Sequence, residues 1–193
     1  VAAIHDLSGY GKASLTVVIP TLSAMGVQVC PLPTAVLSTH TGFPGFTVHD
    51  LTDEMERIIA HWASLDLQFD AISSGFLGSP RQVDIVSRFI RQFRRDGQIV
   101  LVDPVMADDG TLYPTMGEEM VTGMRRLVRD AHIITPNLTE AALLVGEPYD
   151  PHAPLATIKA WAEELAAMGP KRVVITSVPS DAFIANTCVF SSP

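Results

Sequence analysis

The chain has 193 residues, 47% of them hydrophobic and 18% charged, with a formal net charge of −8. This balance excludes a disordered chain, and its acidity argues against a nucleic-acid backbone as partner, because neutralising phosphates takes clustered Lys and Arg. It leaves open a phosphorylated small ligand, which backbone amides and a metal hold without basic side chains.

Val1–His5 reads as the first strand and Asp6-Leu7-Ser8-Gly9-Tyr10-Gly11 as the loop after it. The glycines of that loop suit positive φ or close approach of a ligand, although the spacing matches neither GxxxxGK(S/T) nor GxGxxG. Leu15, Val18, Ile19 and Leu22 recur at helical spacing, which predicts a helix over roughly Lys12–Met25, kinked at Pro20 and ended by Gly26. Val27–Leu32 is expected as a second strand and Val36-Leu37 as a short third. Ser38–Phe46 is polar, glycine-rich and too irregular for a strand; it reads either as a flap over a pocket or as an ordinary surface loop. Thr52 or Asp50 caps a helix to about Ser64. Phe69–Ser73 is a strand, followed by a turn into a helix with Ser79 as N-cap and Pro80 at the first helical position. That helix runs to about Arg95, with Val83, Val86, Phe89, Ile90 and Phe93 on one face and Arg88, Arg91, Arg94 and Arg95 as a solvated face.

Gln98–Val102 reads as a buried strand, broken by Asp103-Pro104 because proline cannot continue the ladder and restricts the residue before it. Asp103 and Asp108 then fall beyond the strand's carboxyl end, where open α/β sheets bind ligands; the alternative is an acidic surface loop. Gly117–Arg129 is a helix, Ala131–Ile134 a strand, and Thr135-Pro136-Asn137-Leu138-Thr139-Glu140 opens a helix through Val145 that stops near Gly146. A helix over Pro154–Met168 and a strand over Lys171–Thr176 follow, and Asp181–Phe190 fits one more strand.

Strands alternating with helices predict a single domain over residues 1–193, a three-layer α/β/α sandwich with a mainly parallel central sheet. Loops after parallel strands collect at one edge, so Asp6, Ser74-Gly75, Asp103, Asp108, Thr135, Asn137, Glu140, Thr176 and Ser177 are expected together. The carboxylates of Asp103, Asp108 and Glu140 and the amide of Asn137 are hard oxygen donors of the kind magnesium takes beside nucleotide phosphates. Phosphoryl transfer needs little covalent help; it needs a metal, placed donors and an in-line acceptor. Taken singly, Glu140 also reads as a first-turn acid favoured by the helix dipole, and Asn137 as a plain N-cap. Two cysteines, Cys30 and Cys188, point to no disulfide framework or zinc site and fit a reducing cytoplasm. No apolar run approaches the ~18 residues of a membrane span. With no initiator Met, a few residues are expected before Val1.

In this order and spacing, Gly9-Tyr10-Gly11, Ser38-Thr39-His40-Thr41-Gly42, Ser74-Gly75-Phe76-Leu77-Gly78, Asp103-Pro104-Val105-Met106-Ala107-Asp108, Thr135 through Glu140, and Ile175-Thr176-Ser177 resemble the ribokinase-like superfamily, and within it the pyridoxal (vitamin B6) kinases. The resemblance spans essentially the whole chain. It implies transfer of the γ-phosphate of ATP, with Mg2+, to the 5′-hydroxymethyl group of pyridoxal, pyridoxine or pyridoxamine by a cytoplasmic homodimer. By the same resemblance, Thr41, Gly75 and Phe76 line the vitamer pocket. Asp103, Tyr113, Thr135, Asn137, Thr176 and Ser177 lie on the nucleotide side, and Asp108 and Glu140 serve the metal. Asp6 stands where many relatives have a substrate-contacting serine; it is expected to bind the substrate in that serine's place, through the ring nitrogen or a hydroxyl, which leaves the preferred vitamer open.

A second departure concerns the Gly-x-Gly-Asp turn that carries the family's anion hole and base. The last glycine here is Gly169, so the expected catalytic aspartate lies beyond Pro193 and the domain is expected to be incomplete at its C-terminus. Two other readings stay open: a hydroxymethylpyrimidine kinase of thiamine synthesis, and a non-catalytic nucleotide- or vitamer-binding remnant.

Overall fold

A computed structural model describes residues 1–179 and 184–190. The chain divides into two compact units, Val1–Gln98 and Ile99–Pro193, each built of mainly parallel strands with helices, as the α/β expectation requires.

In the first unit the strand order is β4 (Ala71–Ser74), β1 (Ala2–Tyr10), β2 (Cys30–Thr39), β3 (Val48–Asp50), with only β3 antiparallel to its neighbour. The helices are α1 (Leu15–Ala24), α2 (Thr52–Ser64) and α3 (Pro80–Gln92). Ile4, Leu32, Met55, Ile72, Val86 and Phe89 form the core, and Trp62, Phe69, Phe89 and Phe93 pack ring against ring beside it. The apolar period of α3 buries Val83, Val86, Phe89 and Ile90 as expected, and Ser79 caps it by accepting the Gln82 N–H at 3.3 Å.

The boundaries of β1 and β2 differ from expectation. Asp6–Tyr10 is not a loop: β1 continues through it, pairing Leu7 with Val36 and Tyr10 with Thr39 after a bulge beside Asp6. Gly9 is needed there for close packing, since a Cβ would sit 2.9 Å from the Ser38 carbonyl oxygen. Cys30–Leu32 of the expected second strand and Val36-Leu37 are one strand, β2, which contains Pro31 and Pro33 and takes in Ser38-Thr39, while Val27–Val29 lie before it. Cys30 N–H donates to Val1 O, so by alternation the nitrogens of Pro31 and Pro33 point away from β1. There β3, which pairs only from Ala35 onward, does not reach. β3 itself was not expected; three exposed residues carry no period-two signal. Helix α1 starts at Leu15 rather than Lys12, because Ser14 has φ 51. Asp50 Oδ1 accepts the Thr52 N–H at 2.8 Å and so holds the start of α2, although Leu51 occupies the cap position.

In the second unit the order is β10 (Ile184–Phe190), β9 (Arg172–Pro179), β8 (Ile133–Ile134), β5 (Ile99–Val102), with only β10 antiparallel. Residues 181–183 of the expected last strand lie outside the described residues. The acidic segment after β5 folds into a small hairpin, β6 (Ala107–Asp108) and β7 (Thr111–Leu112), which sequence pattern did not indicate. Helices α4 (Glu118–Leu127), α5 (Leu138–Val145) and α6 (Leu155–Ala167) complete the unit. Val100, Val102, Met120, Met124, Ile134 and Ile175 are among its buried residues. Helix α5 ends at Gly146 with φ 88, as expected of a left-handed cap.

Candidate active site

In the second unit, β5, β8 and β9 run parallel and end on one edge. Asp103-Pro104 follows β5, Thr135-Pro136 follows β8, and in β9 two residues, Thr176 and Ser177, lie between the pairs Ile175↔Thr187 and Val178↔Ala185. Ser177 takes φ 57 in this bulge, a conformation that costs a non-glycine residue and re-aims side chains at strand ends. A cavity of about 390 Å³ opens at this edge. Asp103, Tyr113, Thr135, Asn137 and Glu140 line it together with Thr176 and Ser177. Val105, which sequence reading did not single out, also lines it. Asp108 does not; it is exposed on the hairpin, with its Oδ1 accepting the Asp109 N–H at 3.0 Å.

The first turn of α5 organises the cavity. Asn137 Oδ1 accepts the Glu140 N–H at 2.9 Å, and Glu140 Oε2 accepts the Asn137 N–H at 2.8 Å, a reciprocal capping box. The same two side chains also reach the segment after β5. Glu140 Oε1 accepts the Met106 N–H at 3.0 Å, and Asn137 Nδ2 donates to the Ala107 carbonyl at 2.8 Å. A plain N-cap or a solvated first-turn acid does neither.

Burial pushes the Glu140 carboxyl up to about 8; the N–H groups of Asn137, Met106 and Ala107 pull it down, and Asp103 pushes it further up. Asp103 rises to about 6, again through burial, against a hydrogen bond from Thr135 that lowers it. Tyr113 is also raised, by burial and then by the neighbouring acids, Glu140 first. Such a cluster of shifted acids in a cleft marks a functional site more often than a structural one. Two buried carboxyls beside each other favour a cationic or proton-bearing guest. Among the described residues, no group of three or more His, Cys, Asp or Glu side chains is arranged to hold a metal ion. Both Glu140 oxygens already accept N–H bonds, so this donor set fits a cation held mainly by phosphates and water, with Glu140 steadying a water rather than supplying most of the coordination.

In the first unit, the Ile4↔Ser74 pair and the bond from Gly75 N–H to Ile4 O (3.0 Å) place Gly75, just past the end of β4, beside the part of β1 that leads into the bulge at Asp6. Thr41 is exposed in the turn after β2, next to His40, whose N–H donates to Tyr10 O at 3.1 Å. The Phe76 carbonyl accepts the Thr34 hydroxyl at 2.9 Å. Asp6 is 4% exposed, and its carboxylate accepts from the Ser8 hydroxyl at 3.0 Å and from the Ser14 hydroxyl. It therefore braces the start of α1. His5, not singled out in the sequence, stands closest to Gly75: a Cβ at Gly75 would lie 2.3 Å from His5 Nδ1. Burial lowers the imidazole to about 4, against a small upward pull from Asp6, so it is neutral beside Ser73 Oγ, 3.3 Å from Nε2.

A larger cavity, about 610 Å³, lies in the same unit around His49, Thr52 and Ser79, and none of His5, Asp6, Thr41, Gly75 and Phe76 lines it. Its arginines are paired at the surface: Arg81 with Asp53 at 2.7 Å and Glu56 at 2.6 Å, and Arg57 with Glu54. The smaller cavity has the chemistry.

The sequence profile of the family described as phosphomethylpyrimidine kinase matches residues 11–189. A pyridoxal kinase of Arabidopsis thaliana is 32% identical over 90% of this chain, which spans 56% of that protein's length. Among solved structures, a provisionally assigned phosphomethylpyrimidine kinase of Bacteroides thetaiotaomicron, crystallised with pyridoxal, is 55% identical with a TM-score of 0.91, over 94% of this chain and 63% of that one. The pyridoxal kinase of Leishmania donovani in complex with ADP and pyridoxamine is 26% identical, with a TM-score of 0.83, over 90% of this chain and 62% of that one.

Proposed function

The chain belongs to the phosphomethylpyrimidine kinase family, and from that membership we propose that it is part of an ATP-dependent kinase of vitamin B6, with residues 1–193 read as one ribokinase-like domain. The reaction moves the γ-phosphoryl group of ATP to the 5′-hydroxymethyl oxygen of pyridoxal, pyridoxine or pyridoxamine. The bond from phosphorus to the β–γ bridging oxygen breaks and releases ADP, a new oxygen–phosphorus bond forms, and the hydroxymethyl proton passes through a general base to solvent.

The observation that carries this reading is the α5 capping box. It fixes the buried Glu140 and the half-buried Asn137 beside Asp103, in a cavity that Thr135, Thr176 and Ser177 also line. Hydroxyls and an amide there suit phosphate oxygens, and Tyr113 supplies an apolar face for a nucleotide. Glu140, with Asp108 on the hairpin, would serve a magnesium ion arriving with the nucleotide, which would supply charge neutralisation on the transferring group. Two backbone donors fix the Glu140 carboxyl group, so it is held in position without reorganising. The vitamer side falls to Thr41, Gly75 and Phe76, with Asp6 as a brace behind them; crystallisation of the 55% identical relative with pyridoxal supports this choice of substrate. A homodimer in the cytoplasm belongs to the same proposal, as the resemblance implies; among the described residues no helix is long and apolar enough to cross a membrane.

The family's own description favours a second reading, phosphorylation of a hydroxymethylpyrimidine. ADP release measured with pyridoxal, pyridoxine, pyridoxamine and hydroxymethylpyrimidine separates them. Turnover on the vitamers is expected of the whole protein to which this chain belongs. Turnover on the pyrimidine alone selects the second reading, and ADP binding with no turnover selects a non-catalytic binding module.

A further inference from the structure

We infer that Thr139 and Tyr149 are positioning residues for the nucleotide cavity: together they hold the tip of the β6–β7 hairpin, which carries Asp108 and leads into Tyr113. The functional half of this statement rests on the kinase reading; the structural half rests on geometry alone.

The hairpin consists of two residue pairs, Ala107↔Leu112 and Asp108↔Thr111, too few to be stable by themselves. Its tip turns through φ 46 at Asp109 and φ 75 at Gly110, the two positive values of a tight hairpin turn. Glu140 and Asn137 bind the approach to the hairpin, at Met106 N–H and Ala107 C=O, but not its tip. Thr139 reaches the tip: its hydroxyl, on a residue 2% exposed, accepts the Gly110 N–H at 3.0 Å. The Tyr149 ring lies on the same glycine so closely that a Cβ there would be 2.6 Å from Tyr149 Cδ1. Asp108 is the residue before this turn, and Tyr113 leaves the hairpin with its N–H on Met106 O at 3.0 Å. Freeing the tip therefore loosens an acid and an aromatic residue at the cavity rim. It leaves the capping box intact, and Asp6, Gly75 and Phe76 belong to the other unit.

Thr139→Val keeps the side-chain shape and removes the acceptor. Amide exchange at Gly110 is expected to accelerate about tenfold, and the KM for ATP to rise about three- to tenfold, the worth of one hydrogen bond, while the KM for pyridoxal stays put. Thr139→Ser restores both, and Tyr149→Ala repeats the exchange effect. Unchanged Gly110 exchange in Thr139→Val and Tyr149→Ala overturns the inference, as does a pyridoxal KM that rises in step with that for ATP. A wild-type chain that neither turns over nor binds ADP refutes the kinase reading and with it the functional half; Gly110 exchange then decides the structural half.

Discussion

Two buried polar centres, one in each unit, are built on the same local motif and put to different use. Gln82 and Glu140 both sit three residues after an N-cap, Ser79 and Asn137, and both are almost wholly buried, at 0% and 2% exposure. Gln82 is neutral and complementary to its surroundings. Its Oε1 accepts the Gly78 N–H at 2.7 Å, and its Nε2 faces Thr34 O, Asp50 Oδ2 and Thr52 Oγ1 at 2.9, 3.1 and 2.9 Å. It ties β2, β3, α2 and α3 together. Glu140 is a carboxyl held by N–H groups yet pushed up by burial. An amide closes a network without an ionisation penalty; a buried acid keeps a site poised for charge at a cost in stability.

Exchanging the two side-chain chemistries probes this contrast. Gln82→Glu turns an oxygen toward three acceptors and is expected to cost about 3–5 kcal/mol at pH 7, with part recovered at pH 5 as the new acid protonates. Urea unfolding measures it, and an unshifted midpoint would remove the structural role. Glu140→Gln sets an amide NH2 against a backbone N–H. It should lower kcat for vitamer phosphorylation about 100-fold, with only about 1–3 kcal/mol lost in unfolding. Full activity in steady-state assays would reduce Glu140 to a helix cap.

The pH dependence of stability sharpens the same contrast. Asp103 and Glu140 have folded pKa values raised above their ordinary 3.8 and 4.5. Their stabilising contribution is whole below about 4 and is lost as pH rises through about 6 and then about 8. His5 is lowered from 6.5 to about 4, so its contribution is whole above 6.5 and is lost as pH falls toward 4. The two units should thus show opposite slopes, each on the order of 1–3 kcal/mol. In thermal melts, Glu140→Gln is expected to flatten the alkaline fall and His5→Gln the acid one; identical profiles in both variants would count against the assignment. The smallest effect is expected from Ser177→Gly. Relief of φ 57 should outweigh the added unfolded-chain entropy by about 0.5 kcal/mol, read as a slightly higher Tm beside weaker ADP binding.

Much of this site is legible in the sequence because parallel strands deliver their following loops to one edge. Asp103-Pro104 and Thr135-Pro136-Asn137 each announce a strand end, and Asn137 with Glu140 fits a cap. The rim hairpin is not legible, because two-residue strands have no period. Nor are Thr139 and Tyr149, whose work is to touch a glycine far along the chain. His5 is hidden for a similar reason: a lone histidine in an apolar strand gives no sign that a glycine just past the end of the neighbouring strand lies against its ring. The reading of Asp6–Tyr10 as a loop failed because its glycines suggested freedom, whereas Gly9 is there for close approach to the Ser38 carbonyl.

Composition, periodicity and capping patterns alone determined that this chain is an α/β protein with acids and amides gathered after its parallel strands. These are local and one-dimensional properties, set by which residues can turn, cap or alternate. Only the tertiary structure decided which of those acids is buried beneath a capping box, which is exposed and which is bonded to the start of a helix. Desolvation and hydrogen-bond partners depend on what packs against a side chain from elsewhere, and for Asp6, Asp108 and Glu140 that surrounding differs although the residue chemistry is the same.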